Sequence, residues 1–317
     1  MKLSFVVPCY NEADNVKPFA EEIFRSFPVT EDYEIVFVND GSADNTFENL
    51  KEVKKISPCN IKIINFSRNF GKESAMYAGL QNACGELVSI IDADLQQDPA
   101  IVKKMVEMLD SNPDVDCICA CQEDRHEGKF TTACKNAFYK FADKFTEISF
   151  KSGASDFRTF RKSVRDALLS MGEFHRFSKG LFSWIGFNTV YIPYTAKERQ
   201  AGKSSFNFIK LLKYAFEGII AFSTAPLKFA SVLGSVATVF SIVYAVITII
   251  RKLVSHINVD GFTQLVILIS FLGGIQLFTI GIIGEYLARN YIQTKNRPIY
   301  IAKEIITYED KSNKTAQ

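Results

Sequence analysis

The sequence predicts an α/β protein with an open, mainly parallel sheet and helices on both faces, followed by interfacial helices and two C-terminal transmembrane helices. Two observations carry this prediction. Short apolar runs alternate with helical patterns over residues 1–121, as parallel strands joined by crossover helices do. Two long runs without a charged residue then follow near the end of the 317-residue chain.

Five strands and four helices are predicted in the N-terminal part. The strands are Leu3–Pro8, Tyr33–Val38, Ile61–Phe66, Leu87–Ile91 and Val115–Cys121. The helices between them are Asn15–Phe27, Asn45–Ile56, Lys72–Ala83 and Pro99–Ser111. Polar clusters end three of the strands, at Pro8–Glu12, Asn39–Ser42 and Asp92–Asp94. Because ligands of open parallel sheets bind beyond the carboxyl ends of the strands, these clusters predict one polar crevice of nucleotide size.

The remainder of the chain is predicted to associate with a membrane. An amphipathic helix is expected over Lys129–Ile148, and Phe206–Phe222 is typical of an interfacial helix. The uncharged runs Phe229–Ile250 and Phe262–Ile283 each reach the roughly 20 residues that a bilayer core requires. We therefore expect a cytoplasmic domain over residues 1–205, an interfacial helix over 206–225, two spans with a short external loop over 226–286, and a cytoplasmic tail over 287–317.

Flanking charge sets the expected orientation of the spans. Lysines and arginines are frequent on the side shared by both chain ends: Lys203, Lys210, Lys213, Lys228, Arg289, Lys295 and Arg297. Arg251 and Lys252 in the connecting loop oppose this bias. The balance places the shared side in the cytoplasm. Small residues on both runs predict close packing of the two helices: Ala230, Gly234, Ala237, Gly274 and Gly281.

Composition and spacing exclude several function classes. A near-neutral balance of 37 Lys and Arg against 35 Asp and Glu argues against a nucleic-acid binder. The odd count of 7 cysteines favours a reducing compartment. No Gly-x-Gly-x-x-Gly follows the first strand, which argues against a dinucleotide site of that kind. Gly202-Lys203-Ser204 resembles the end of a phosphate-binding loop, but Lys197 stands where that loop requires glycine.

The acidic pair Asp92 and Asp94 is the strongest candidate for chemistry. Both residues follow a buried strand and are separated by the small Ala93, so their side chains point the same way in an extended segment. Mg²⁺ and Mn²⁺ prefer oxygen ligands, commonly one or two carboxylates together with substrate phosphates. We therefore predict a divalent metal held by Asp92 and Asp94. Asp98 and Pro99 have a simpler interpretation as the N-cap and first residue of the next helix.

The motifs taken together resemble glycosyltransferase family 2. They are Pro8-x-Tyr10-Asn11-Glu12, Asn39-Asp40-Gly41-Ser42-x-Asp44, Asn69-Phe70-Gly71-Lys72 and Asp92-Ala93-Asp94-Leu95-Gln96-x-Asp98-Pro99. Gly153-x-x-Asp156-Phe157-Arg158, Arg199-x-x-Gly202-x-Ser204 and the two spans are similar to the narrower group of polyprenyl-phosphate glycosyltransferases. This resemblance covers nearly the whole chain in the expected order.

The resemblance implies a nucleotide-sugar-binding fold of type A and a set of donor-binding residues. Pro8, Tyr10, Glu12 and Asp40 would surround the base and ribose, and Asp92 and Asp94 would meet the diphosphate and the metal. Asn11, Ser42, Lys72, Ala93 and Gln96 complete the expected nucleotide-sugar site. Asp94 and Asp156 are the expected catalytic residues. The family places a possible base at Asp156, which we expect to orient or pair with a nearby arginine rather than to act as a base.

The implied acceptor is a lipid phosphate. A phosphate monoester, with a second pKa of about 6, already carries a nucleophilic oxygen at neutral pH. The site must therefore supply cations, for which Arg suits forked contact with phosphate oxygens. The candidates for contact with the acceptor phosphate are Arg125, Arg158, Arg199, Lys203 and Ser204.

We accordingly expect a multi-pass enzyme of the inner (plasma) membrane that transfers a sugar with inversion from UDP-glucose or a related donor to polyprenyl (undecaprenyl) phosphate. GDP-mannose is an alternative donor, and a catalytically idle sugar-nucleotide sensor is an alternative function. A processive polysaccharide synthase is disfavoured because two spans cannot line a conduit and Trp184 lacks the sequence context of those enzymes. The resemblance also suggests a homo-oligomer.

Overall fold

A computed structural model describes residues 2–28, 31–122, 153–195, 197, 220, 222–255 and 261–308. The strands in these ranges are β1 (Leu3–Cys9), β2 (Tyr33–Asn39), β3 (Asn60–Phe66), β4 (Leu87–Ile90), β5 (Cys117–Gln122), β6 (Ala154–Arg161), β7 (Thr189–Tyr194) and β8 (Ala302–Tyr308). The helices are α1 (Val16–Ser26), α2 (Thr46–Ile56), α3 (Lys72–Asn82), α4 (Pro99–Ser111), α5 (Lys162–Ser170), α6 (Ser178–Trp184), α7 (Ala225–Ser255) and α8 (Phe262–Thr294).

The strands form one sheet in the order β7-β5-β6-β4-β1-β2-β3-β8. The central strands β4, β1, β2 and β3 are parallel, and β5 is parallel to β7. β6 enters antiparallel between β4 and β5, and β8 pairs antiparallel with β3. The predicted open, mainly parallel sheet is confirmed, and so are its first five strands, within two residues at each end.

Helices cover both faces of the sheet, and each face has its own apolar core. On one face, α1, α2 and α4 pack over the fully buried rings Phe5, Phe19 and Phe37. On the other face, α3, α5 and α6 cover Val6, Val88 and Phe160. The central strands are buried on both faces, which explains why their sequences are almost continuously apolar rather than alternating.

The outermost strand β8 comes from the segment predicted only as a tail. Its backbone pairs with β3, with Ile306 opposite Ile63, and the amide of Ser67 donates to the carbonyl of Ile301 at 3.0 Å. Just before β8, the ring of Tyr300 stacks on Phe66 with centroids 4.9 Å apart. The chain that leaves α8 therefore returns to the same sheet that the N-terminal half builds.

α7 and α8 are long enough and apolar enough to cross a membrane. The candidate spans are Ala225–Ile250 and Gln264–Thr294, and 0% of the most apolar window of each is buried inside the molecule. They are therefore not core helices of the globular part, and their exposed apolar surface indicates membrane association.

The prediction that the two helices pack closely at their glycines is wrong, because a Cβ added at Gly234, Gly274 or Gly281 would meet no atom within 4 Å. Ala230, by contrast, is buried.

Two contacts fasten α8 to the sheet domain. The hydroxyl of Tyr286 donates to the carbonyl of Ser223 at 2.6 Å. Further along the helix, the side chain of Gln293 makes two hydrogen bonds. Its Nε2 donates to the carbonyl of Gly172 at 2.9 Å, and its Oε1 accepts from the backbone amide of Phe174 at 2.8 Å. The predicted helix Lys129–Ile148 lies outside the described residues, as does Phe206–Phe222 apart from Ile220 and Phe222.

The close approach of α3 to β1 yields a stability prediction. A Cβ at Gly79 would lie 2.3 Å from Cγ1 of Val6 in a fully packed core. We expect Gly79→Ala to destabilise the domain by about 1–3 kcal/mol through overpacking, visible as a lower thermal unfolding midpoint of the purified protein. Gly172→Ala is the matched control, since its added methyl meets nothing within 4 Å. Equal midpoints for the two variants would contradict the tight α3–β1 contact.

Candidate active site

A cleft of about 270 Å³ opens at the carboxyl ends of β1, β2 and β4. This is the edge of the sheet at which the sequence predicts a polar crevice. Its lining comprises Pro8, Cys9, Tyr10, Glu12, Asp40, Asn69, Gly71, Lys72, Ala75, Asp92, Ala93 and Asp94. Eight of the predicted donor-site residues are therefore brought together: Pro8, Tyr10, Glu12, Asp40, Lys72, Asp92, Ala93 and Asp94. Tyr10 is 49% exposed and projects an aromatic ring at the rim.

Asn11 and Ser42, also predicted to bind the donor, are not among the lining residues and instead join the two loops that frame the cleft. The Asn11 amide donates to Oγ of Ser42 at 3.0 Å, and Oδ1 of Asn11 accepts from the amide of Ala43 at 2.9 Å. Ser42 Oγ in turn donates to Oδ1 of Asn39 at 2.5 Å. Asn11 adopts a left-handed backbone (φ 54°), a conformation that asparagine tolerates better than most residues. These two residues hold the shape of the cleft.

Asp40 fixes the loop that leads into α3. Its buried carboxylate accepts from the amides of Phe70 at 2.7 Å and Gly71 at 3.0 Å. Burial raises the pKa of Asp40, and these two amide hydrogen bonds offset part of that rise. The neighbouring Gly41 has φ 62°, and a Cβ there would lie 2.3 Å from the backbone carbon of Arg68. The Asp40-Gly41 motif thus lets two loops approach closely, and it fixes where Lys72 begins α3.

The acidic pair occupies the end of β4, as predicted. Asp92 and Asp94 both line the cleft, and Asp94 is 9% exposed. Gln97, which the sequence pattern did not single out, holds Asp92 from both sides. Its Oε1 accepts from the Asp92 amide at 2.9 Å, and its Nε2 donates to Asp92 Oδ2 at 3.1 Å. Leu95, which lies between Asp94 and Gln97 in the sequence, has a left-handed backbone (φ 60°). Backbone strain of this kind concentrates at functional sites.

Lys72 provides the central charge of the site. Its ammonium lies 2.7 Å from Oδ1 of Asp92 and 3.2 Å from Oδ2 of Asp156. The two carboxylates are neighbours because β6 is antiparallel to β4 with Arg158 opposite Ile90, and continuing that register places Asp156 opposite Asp92. Partial burial acts to lower the pKa of Lys72, but the two carboxylates outweigh it and raise that pKa. The lysine therefore remains charged and screens two like charges from each other.

Asp156 stays ionised under the influence of several cations. Burial alone would raise the pKa of its carboxyl, but Lys72 first, then Lys179 and Arg158, hold it below its ordinary value. A carboxylate of lowered pKa is a weak base, so this arrangement favours positioning over proton abstraction. Among the described residues, Lys72 forms an ion pair with Asp156 and Arg158 acts on it electrostatically, whereas Arg125 and Arg199 lie outside the described ranges.

Arg158 is not brought to the surface of the cleft. The residue is 4% exposed, its Nε donates to the carbonyl of Ser155 at 3.0 Å, and its guanidinium lies 4.3 Å from the ring centre of Phe182. A phosphate could reach it only by opening the core between β6 and α6. The structure therefore does not support the predicted contact of Arg158 with the acceptor phosphate, and it assigns Arg158 to the electrostatic environment of Asp156.

The other predicted acceptor residues, Arg125, Arg199, Lys203 and Ser204, lie outside the described residues. Lys197, two residues before Arg199, is described. Its amide donates to the carbonyl of Gln96 at 3.0 Å, and its ammonium lies 2.8 Å from Oδ2 of Asp98. Gln96 thus meets its neighbours through its backbone and does not line the cleft. Asp98 caps α4 by accepting from the amide of Ala100 at 2.9 Å, as predicted.

The sequence of this chain matches the family described as "Glycosyl transferase family 2" over residues 4–169, and residues 225–289 match the "GtrB C-terminal hairpin". The chain belongs to glycosyltransferase family 2.

Two relatives that match most of the chain carry a more specific name. The "Prophage bactoprenol glucosyl transferase homolog" of Escherichia coli is 36% identical over 308 residues, covering 96% of this chain and 99% of the relative. The "Bactoprenol glucosyl transferase" of Shigella phage SfII is 38% identical over 307 residues, covering 96% and 98%.

A solved structure is also similar to this glycosyltransferase. The mannosyltransferase PcManGT from Pyrobaculum calidifontis, in complex with GDP-Man and Mn²⁺, is 16% identical and covers 90% of this chain and 87% of its own, with a TM-score of 0.46. Together, the matched family and the mixed sheet identify a type A glycosyltransferase domain followed by two apolar helices. The chain is thus a glycosyltransferase with an acidic pair and a lysine in its cleft.

The position of Lys72 leads to a prediction about pH. In Lys72→Met the main cation that lowers the pKa of Asp156 is gone, so that pKa rises and the carboxylate protonates at a higher pH. We expect the sugar-transfer rate at neutral pH to fall by about 10–100-fold, and the acid limb of its pH profile to move to higher pH. Lys72→Arg keeps the positive charge and should leave the acid limb near its original position. Identical acid limbs in the Met variant and the unmodified enzyme would contradict this coupling.

Proposed function

We propose that this glycosyltransferase transfers glucose from UDP-glucose to a polyprenyl phosphate, with inversion at the anomeric carbon. The observation that carries the proposal is the acidic pair Asp92 and Asp94 in a cleft at the strand ends, with Lys72 bridging Asp92 to Asp156. The relatives named bactoprenol glucosyl transferases, which match 96% of the chain, support glucose as the sugar and a polyprenyl phosphate as the acceptor.

The donor occupies the cleft with its nucleoside toward the β1 and β2 loops. The exposed ring of Tyr10 offers a surface on which a base can stack, while Pro8 and Glu12 line the same end. The diphosphate lies toward Asp92, Asp94 and Lys72, the only part of the described cleft lining that has both a cationic side chain and a pair of carboxylates. This orientation leaves the sugar next to Asp156, at the junction of β4 and β6.

A divalent metal, Mg²⁺ or Mn²⁺, fits the donor set at Asp92 and Asp94. Both carboxylates line the same cleft, and the carboxylate of Asp92 already attracts a cation, the ammonium of Lys72. Among the described residues no group of three His, Cys, Asp or Glu side chains is suited to hold a metal alone. Phosphate oxygens of the donor would therefore complete its coordination. When bound, the metal supplies positive charge that stabilises the departing diphosphate.

The acceptor needs no strong base. Its phosphate oxygen attacks the anomeric carbon directly, and the bond from that carbon to the nucleoside diphosphate breaks. The products are the sugar joined to the lipid through a phosphodiester and the free nucleoside diphosphate. The lowered pKa of Asp156 agrees with this, since its carboxylate holds Lys72 rather than collecting a proton. Lys72 is within reach of both the diphosphate side and the Asp156 side of the cleft. We therefore assign it to holding the donor and acceptor phosphates in line.

Cations for the incoming phosphate come from two places. Lys179 at the start of α6 helps to lower the pKa of Asp156, and sequence reasoning did not identify it. Arg125, Arg199, Lys203 and Ser204 remain proposed contacts of the acceptor phosphate. The anchoring of Lys197 to Gln96 and Asp98 supports the last three, because it fastens the chain two residues before Arg199 to the loop that follows Asp94.

The membrane-bound state follows from the apolar helices α7 and α8. We propose that both span the inner membrane and that the sheet domain faces the cytoplasm, where nucleotide sugars are present. The return of β8 to the sheet supports a shared side for both ends of the helix pair, because a strand beyond α8 pairs with a strand that precedes α7. Partners are then the nucleotide-sugar donor, the lipid acceptor and the bilayer, with a homo-oligomer as a further proposal.

A donor panel tests the proposed reaction. The purified full-length chain in detergent, given polyprenyl phosphate and either UDP-glucose, UDP-N-acetylglucosamine or GDP-mannose, should yield a lipid product whose mass increases by one hexose only with UDP-glucose. A hexose added only from GDP-mannose would replace the donor assignment. Donor binding without any lipid product would instead favour an idle sensor.

Removal of the metal ligand provides a second test. Asp94→Asn replaces a carboxylate in the cleft by a neutral amide of equal size, so we expect transfer to fall by about 10³-fold or more, with donor affinity measured in the same preparation. Asp110→Asn is the matched control, because Asp110 is an exposed residue of α4 that pairs with Lys2 away from the cleft. Chelation should also stop transfer, and Mg²⁺ or Mn²⁺ should restore it. Normal rates in Asp94→Asn would remove the metal from the proposal.

A further inference from the structure

The single tryptophan of the chain has no part in the cleft. Trp184 ends the short helix α6 and is 57% exposed, which is unusual for a large side chain with so much apolar surface. Its neighbours in α6 are buried: Leu181 and Phe182 pack into the core beneath. The exposed ring of Trp184 therefore projects away from the side of α6 that packs on the core.

α6 is fixed to the cleft at its first residue. The carboxylate of Glu73 accepts from the amide of Ser178 at 3.0 Å and from its hydroxyl. Glu73 directly follows Lys72, which binds Asp92 and Asp156. α6 is thus held by α3 at a point one residue from Lys72, which lines the cleft.

The outer face of α6 points toward the chain that enters the first apolar helix. A Cβ at Gly180 would lie 2.3 Å from Cε2 of Phe222, and the rings of Phe177 and Phe222 are 6.1 Å apart. Phe222 precedes the first residue of α7, Ala225, by three positions. Phe177, Gly180 and Trp184 are spaced i, i+3 and i+7, so they lie on one stripe of the helix. Gly180 is buried beneath Phe222, and Trp184 is the exposed end of the stripe. We call this stripe the α6 outer face.

The absence of carboxylates from this part of the chain suits an anionic surface. The segment from Phe174 to Thr195 contains no Asp or Glu. Acidic lipid headgroups attract cationic segments near the bilayer and repel carboxylates. Tryptophan itself prefers the headgroup level, where its ring is shielded from water and its N–H remains hydrated.

We propose that the α6 outer face is a third membrane contact of this chain, with Trp184 inserted among the headgroups of the bilayer that α7 and α8 span. The inference rests on the membrane insertion put forward under the proposed function. Its occupant is the lipid surface, because the face is continuous through Phe222 with the start of the first span. The contact holds the Lys179 and Asp156 side of the cleft toward the source of the lipid acceptor.

Trp184 reports its own surroundings, since it is the single tryptophan of the chain and lipid vesicles contribute none. The full-length protein in vesicles of phosphatidylcholine and phosphatidylglycerol is exposed either to acrylamide in the buffer or to lipids spin-labelled near the headgroup. We expect the labelled lipid to quench most of the emission and acrylamide to quench severalfold less than in a control with the tryptophan elsewhere. That control is Trp184→Phe combined with Ile56→Trp, because Ile56 is 64% exposed on α2, on the opposite face of the sheet.

Each outcome decides the proposal. Strong acrylamide quenching of Trp184 without an effect of the labelled lipid overturns it. Protection from both quenchers also overturns it, since that result places Trp184 against another protein surface. Because the measurement needs no turnover, it stays readable even where the proposed sugar transfer fails, and an exposed Trp184 would leave the transfer reaction intact.

Sugar-transfer rates of Trp184 variants test whether the membrane contact affects activity. Trp184→Glu places a carboxylate against anionic lipid, so transfer to acceptor embedded in nanodiscs should fall severalfold in kcat/KM while donor affinity is unchanged. Trp184→Tyr should recover most of the rate, and Ile56→Glu should leave it unaltered. Equal rates for Trp184→Glu and Ile56→Glu would overturn the positioning role of the contact.

Discussion

The ion-pair contact of Lys72 with Asp92 and Asp156 is the interaction on which the site depends. The antiparallel register of β4 and β6 brings the two carboxylates side by side, and two like charges at that spacing repel. A cation between them offsets this repulsion and holds the pKa of Asp156 below its ordinary value. Lys72 supplies that cation from a third element, α3, so the charge balance of the site couples three parts of the fold.

That coupling is rigid because the start of α3 is held on two sides. Asp40 at the end of β2 accepts from two amides of the loop before Lys72, and Glu73 immediately after it binds Ser178 of α6. The proposed donor side of the cleft, built by β1 and β2, and the proposed acceptor side, built by β6 and α6, therefore meet at the first residues of one helix. Asn11 and Ser42 also hold two loops together beside the cleft.

The apolar helices are integrated with the sheet rather than appended to it. Gln293 on α8 bridges the backbone of the loop between α5 and α6, Tyr286 contacts Ser223, and β8 completes the edge of the sheet beside β3. These contacts connect the two apolar helices to the sheet that carries the cleft.

The sequence by itself determined the alternation of strands and helices, the acidic pair after β4, the N-cap at Asp98 and the two apolar helices, because each is encoded in residues close together along the chain. Only the tertiary structure decided that β6 runs antiparallel beside β4, that Lys72 pairs with Asp156, that Arg158 is buried, and that residues 302–308 form a strand. Each of these depends on residues far apart in sequence. No local pattern distinguishes a lysine that bridges two carboxylates from one that lies in solvent, since the partners are selected by strand register and helix packing.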